Sequence, residues 1–107
     1  MHRRTLLSLA ALALLPGAVR AQAYPTKPIR LVVPFPAGGA TDLLARSLAQ
    51  RLGQGLGQTV VVENKAGAGG SLGSAEVAKA APDGYSLLIA TSSTHAIGPH
   101  LNSKLPY

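Results

Sequence analysis

No cysteine occurs in the chain, which excludes disulfides, thiolate metal sites, a cysteine nucleophile and a lipid anchor built on a terminal cysteine. Tryptophan is also absent, and the aromatic residues are limited to Tyr24, Phe35, Tyr85 and Tyr107. Nucleic-acid binding needs a stacking platform or a basic stripe. The first is missing, and the cations Lys27, Arg30, Arg46, Arg51, Lys65, Lys79 and Lys104 are scattered rather than clustered. No apolar run approaches the roughly 20 residues that span a bilayer. The longest, Leu6 to Leu15, is half that length.

That run has another explanation. Arg3 and Arg4 precede it, Pro16-Gly17 breaks it, and Ala21-Gln22-Ala23 follows as an A-x-A site. Residues 1–23 therefore read as a secretory signal peptide, cleaved after Ala21 or Ala23. The paired arginines also suit twin-arginine export. From Tyr24 onward seven Lys/Arg face four Asp/Glu, so the formal charge falls from +6 to +3 and the high pI largely belongs to the leader. The expected mature protein lies in the periplasm. A domain of this size buries only about 60% of its unfolded surface.

What is present is an alternation of apolar strands with helical segments. Ile29 to Val33 (IRLVV), Thr59 to Glu63 (TVVVE) and Ser86 to Thr91 (SLLIAT) are short, β-branched or aliphatic runs, as expected of strands buried on both faces. Between the first two, TDLLARSLAQRLG predicts a helix capped by Thr41, with Asp42 at its positive end and a Leu44, Leu48, Leu52 stripe flanked by Ala45 and Ala49. Gly53, Gly55 and Gly57 are expected to end it. A second helix is expected from about Ser71 to Ala81, stopped by Pro82. The order βαβαβ implies an α/β fold with a parallel sheet, right-handed crossovers and strand order 2-1-3.

Such a sheet brings three loops to the carboxyl ends of its strands: PFPAGGATD, NKAGAGGS and TSSTHA. Ligands of open parallel sheets bind at that edge. The second loop is not a dinucleotide fingerprint, because Leu72 stands where the third glycine belongs and the loop follows the second strand. No Gly-Lys-Ser/Thr of a phosphate loop occurs either. What the loops do offer is glycine beside two helix starts, which favours a carboxylate or phosphate. Gly38, Gly39, Gly67, Gly69 and Gly70 are candidate main-chain donors. Thr41, Ser71, Ser92, Ser93 and Thr94 are candidate hydroxyls.

A catalytic reading places His95 as a base beside Ser92, Ser93 or Thr94, in a secreted α/β enzyme acting on a small organic acid. No carboxylate is evidently positioned to orient that histidine, and no G-x-S-x-G elbow occurs. His95 and His100 lack a third metal ligand. Neither an enzyme, a metal nor a cofactor is expected.

Four spaced motifs, P-F-x-x-G-G-x-x-D from Pro34, E-N-x-x-G-A-G-G from Glu63, A-P-D-G-Y from Ala81 and T-H-A from Thr94, carry a resemblance across the whole mature chain. It resembles the start of the Bug receptors, the extracytoplasmic substrate-binding proteins of tripartite tricarboxylate transporters. The resemblance implies a two-lobed periplasmic-binding-protein fold that closes on a di- or tricarboxylate and hands it to membrane permease subunits, most simply as a monomer. It points to Phe35, Ala37, Gly38, Gly39, Thr41 and Asp42 in the first loop, Ala68, Gly69 and Gly70 in the second, and Ser92, Thr94 and His95 in the third. It also implies that residues 24–107 form an incomplete first lobe lacking the second. A non-functional truncated remnant is the alternative on that count.

Overall fold

A computed structural model describes residues 21–107, so nearly all of the expected leader lies outside the described residues. Three strands form one parallel sheet: β1 (Ile29–Val33), β2 (Val60–Asn64) and β3 (Ser86–Leu88). Their order is β2-β1-β3, as the alternation predicted. β1 is central, pairing Leu31 with Val62 on one side and with Leu87 on the other. Its Ile29, Leu31, Val32 and Val33 are almost fully buried, because a central parallel strand is covered on both faces.

The register sorts side chains between the two faces. Leu31, Val33, Val60, Val62, Asn64 and Leu87 share one face, and α1 (Ala40–Leu56) packs there. Arg30, Val32 and Glu63 share the other face with α2 (Ser71–Ala78). Arg30 holds α2 and β2 together there, bonding Glu76 at 2.6 Å and Glu63 at 3.2 Å.

α1 differs from expectation in three ways. Its buried line is Asp42, Ala45 and Ala49, whereas Leu44 is 64% exposed and Leu48 is 39% exposed. Small side chains let the helix axis lie close to the Leu31–Val33 surface, and so the alanines rather than the leucines face inward. The helix also continues through Gly53 and Gly55 and stops only at Gly57, where φ is +70° and the N–H bonds Gly53 O. A left-handed C′ glycine is what terminates it. Finally, the N-cap is Gly39, with no side-chain cap, so Thr41 already lies within the first turn.

The remaining differences are smaller. β2 sits one residue later than predicted, and α2 ends at Ala78, three residues early. β3 is limited to three residues, although Ile89 N still donates to Val32 O. The polar tail after β3 is not merely turns. It forms a π-helical turn, Ser93–Ile97, that leads directly into α3 (Gly98–Leu101).

Candidate functional site

Parallel strands all end at one edge, so the segments after β1, β2 and β3 emerge side by side. Their point of closest approach is Gly70. A Cβ placed there would lie 2.5 Å from Thr94 Cγ2 and 3.3 Å from Phe35 Cζ. One residue from each loop therefore meets at a seam that admits only a hydrogen at position 70. Gly70 also has φ +96°, a conformation suited to glycine.

The second loop is wound left-handedly through Ala68, Gly69 and Gly70, at φ +48°, +65° and +96°. Ala68 is a non-glycine residue in this region, which is uncommon. Gly70 N and Leu72 N turn back to Gly67 O, and Ser71 N to Ala68 O. The N–H groups of Ala68 and Gly69 take no part in these turn bonds, and both residues are exposed. This is the concave amide arrangement that receives anions.

The first loop ends in the uncapped start of α1. The helix's opening bond runs from Leu43 N to Gly39 O, which leaves the N–H groups of Gly39, Ala40 and Thr41 without intrahelical partners. Gly38 differs: its N–H donates to Asp42 Oδ2 at 2.9 Å. It is therefore withdrawn from the set of free donors that the glycine pattern had suggested.

Asp42 is nearly fully buried and serves as more than a charge at a helix start. Its Oδ2 also accepts from Arg46 Nε at 2.9 Å, and its Oδ1 from Asn64 Nδ2 at 3.0 Å. The Arg46 hydrogen bond, followed by those from Gly38 and Asn64, holds this carboxyl down at about 2. Its carboxylate faces the fold, leaving it the role of fixing the loop.

In the third loop Thr94 is buried, with Oγ1 3.1 Å from Thr91 N and 2.7 Å from His95 Nδ1. The Tyr107 hydroxyl donates to Thr94 O at 2.7 Å, and its ring lies 5.2 Å from that of His95. Thus Ala37, Gly38, Gly39, Ala68, Gly69, Ser92 and His95 are exposed at the edge, and Phe35 and Thr41 are half-buried there. Asp42, Gly70 and Thr94 sit beneath them as buried supports. Sequence reasoning missed Asn64, Arg46 and Tyr107. The i, i+4 spacing of Asp42 and Arg46 was a readable signal, whereas the contacts of Asn64 and Tyr107 are long-range.

Among the described residues no group of three His, Asp or Glu side chains is placed to hold a metal. An open groove of about 710 Å³ between α1 and β2 is lined by Arg46, Gln50, Gly53, Gln58 and Val62 among others. It runs toward the amino ends of the strands, away from the glycine loops.

The structure thus presents an open parallel α/β sheet with three loops gathered at its carboxyl edge. Residues 44–107 match the model of the tripartite tricarboxylate transporter family receptor, and the chain belongs to that family. It is 52% identical over 90 residues to protein BugT of Bordetella pertussis, an alignment covering 83% of this chain and 28% of BugT. A solved structure described as a periplasmic transporter superposes with a TM-score of 0.77 at 58% identity, covering 79% of this chain and 29% of that one. MatC from Rhodopseudomonas palustris, solved with bound malate, gives 0.75 at 42% identity, covering 78% and 29%. The chain thus spans under a third of the length of these relatives.

Proposed function

We propose that this chain is the first-lobe part of a periplasmic receptor for a small di- or tricarboxylate. Main-chain donors at Gly39 to Thr41 and at Ala68 and Gly69 take one carboxylate group. Ser92 and His95 flank it from the third loop. The observation that carries this reading is the convergence of two open amide clusters on one sheet edge, sealed together at Gly70. The N-terminus of α1 and the left-handed amide nest of the second loop then act on the same anion. A second lobe closes over the ligand, and the loaded monomer delivers it to membrane permease subunits. Residues 1–23 direct export and are then removed.

The geometry of the third loop speaks against Thr94 as a nucleophile. The Thr94–His95 pair resembles a nucleophile and its base, but Thr94 is buried and its Oγ1 also engages Thr91. A hydroxyl that substrate cannot reach is not a nucleophile.

The test is calorimetric titration of the full-length exported protein with malate, then with a panel of C4 to C6 di- and tricarboxylates. Saturable binding of at least one of them with no chemical turnover is the expected result. A folded, full-length protein that binds none would overturn the reading.

A further inference from the structure

Asn64 is the last residue of β2 and lies level with Val33 on the α1 face of the sheet. Its amide contacts both ends of the first loop. Nδ2 donates to Phe35 O at 3.1 Å, near where the loop begins, and to Asp42 Oδ1 at 3.0 Å. Asp42 closes the loop, and its Oδ2 in turn accepts from Gly38 N, at the loop's tip, at 2.9 Å. On its other side Asn64 Oδ1 accepts from Arg46 Nη2 at 3.3 Å, and Arg46 Nε bonds Asp42 Oδ2 at 2.9 Å. Acceptors at one end of the amide and a cation at the other fix which atom is nitrogen and which is oxygen.

We infer that Asn64 is a positioning residue for the ligand site, clamping the first loop so that the N–H groups of Gly39, Ala40 and Thr41 point at one place. The inference rests on the carboxylate-receptor reading for its consequence, though its geometry stands by itself. Without Asn64, the Gly38–Asp42 hydrogen bond would be left to hold the tip of the loop. Gly38 has φ +89°, and no atom lies within 4 Å of where its Cβ would be. Such a loop would have to be ordered by the ligand at the expense of affinity, which a prior clamp avoids. The role suits asparagine in particular. Two N–H donors and one acceptor on a short planar fork match this set of partners, aspartate has no donor, and glutamine is one methylene longer.

The charged groups facing Asn64 are Asp42 and Arg46, both from α1. Arg30, Glu63, Glu76 and Lys65 form a separate ion network with α2. An N64D substitution therefore sets a second carboxylate against Asp42, and like charges at this distance retain a shared proton as pH falls. That proton restores one of the lost donors.

The experiment uses the full-length protein as wild type, N64D and N64A. It reads amide hydrogen exchange over residues 35–41 without ligand, and malate affinity, from pH 7.5 down to 4.5. At pH 7.5 both variants should exchange at least tenfold faster than wild type in this segment and bind malate at least tenfold more weakly. On acidification the ratio to wild type should recover for N64D and stay constant for N64A. In the wild type itself, Gly38 N–H should exchange at least tenfold more slowly than Gly39 N–H. First-loop exchange unchanged in the variants, or a ratio for N64D that ignores pH, would overturn the inference. If both variants fail to fold, Asn64 side-chain amide protons that exchange in the wild type as fast as those of an exposed asparagine overturn it. If wild type binds neither malate nor any related acid, the receptor reading fails, and the exchange data still decide the clamp.

Discussion

Replacing Gly70 by alanine drives a methyl group into the point where the three loops meet. Two costs arise there. With φ at +96°, an L-residue in a left-handed conformation costs roughly 1–2 kcal/mol. The new Cβ would lie 2.5 Å from Thr94 Cγ2 and 3.3 Å from Phe35 Cζ, well inside the roughly 3.5–4.0 Å optimum for carbon atoms. Thr94 is a poor candidate to retreat, since its hydroxyl is tied to Thr91 and His95. Overpacking of this kind costs about 1–3 kcal/mol. The sum of about 2–5 kcal/mol corresponds to a fall of roughly 3–7 °C in the thermal midpoint of a chain of this family's length. Gly69→Ala is the matched control, because φ there is +65° and no atom lies within 4 Å of the added Cβ. It should show the backbone cost alone. Differential scanning calorimetry of both variants in the full-length protein separates the two contributions. A G70A midpoint within 1 °C of G69A would refute the convergence of the three loops at this glycine.

Gly55 offers a change of opposite sign. It lies within α1, and nothing sits within 4 Å of its added Cβ. Gly55→Ala should therefore stabilise by about 0.5–1 kcal/mol in urea unfolding, and a loss would mean that the helix does not continue past Gly53. Asp42 sets part of the acid response. Its folded carboxyl titrates at about 2, below its ordinary 3.8. The stability it contributes is thus complete above the ordinary range and disappears as pH falls from about 4 through about 2. Wild type should melt higher than D42N at pH 7, and the gap should narrow across that window. A constant gap would argue against the triple hydrogen bond.

Much of the fold was legible because its signals are local. Short aliphatic runs such as IRLVV, alternating with helical segments, imply parallel strands, and opposite-face crossovers give the observed β2-β1-β3 order. The Gly-rich loops were legible for the same reason, since glycine marks where the backbone needs positive φ, as at Gly38, Gly69 and Gly70. The inward face of α1 was read less well. Hydropathy favoured the Leu44–Leu48 line, but distance to the sheet is a packing quantity, and it selected Ala45 and Ala49.

The sequence by itself determined the strand–helix alternation, the edge at which the loops gather and, through four spaced motifs, the family. Tertiary structure alone decided which residues of that edge are exposed and which are buried beneath it. Asp42 and Thr94 carry the chemistry of binding residues, yet they are buried, Asp42 bonded by Asn64 22 residues away and Thr94 packed on Gly70 in another loop. The physical reason is that a polar side chain's role depends on which donors and acceptors surround it. Contacts between residues distant in sequence set those surroundings, and local pattern does not encode them.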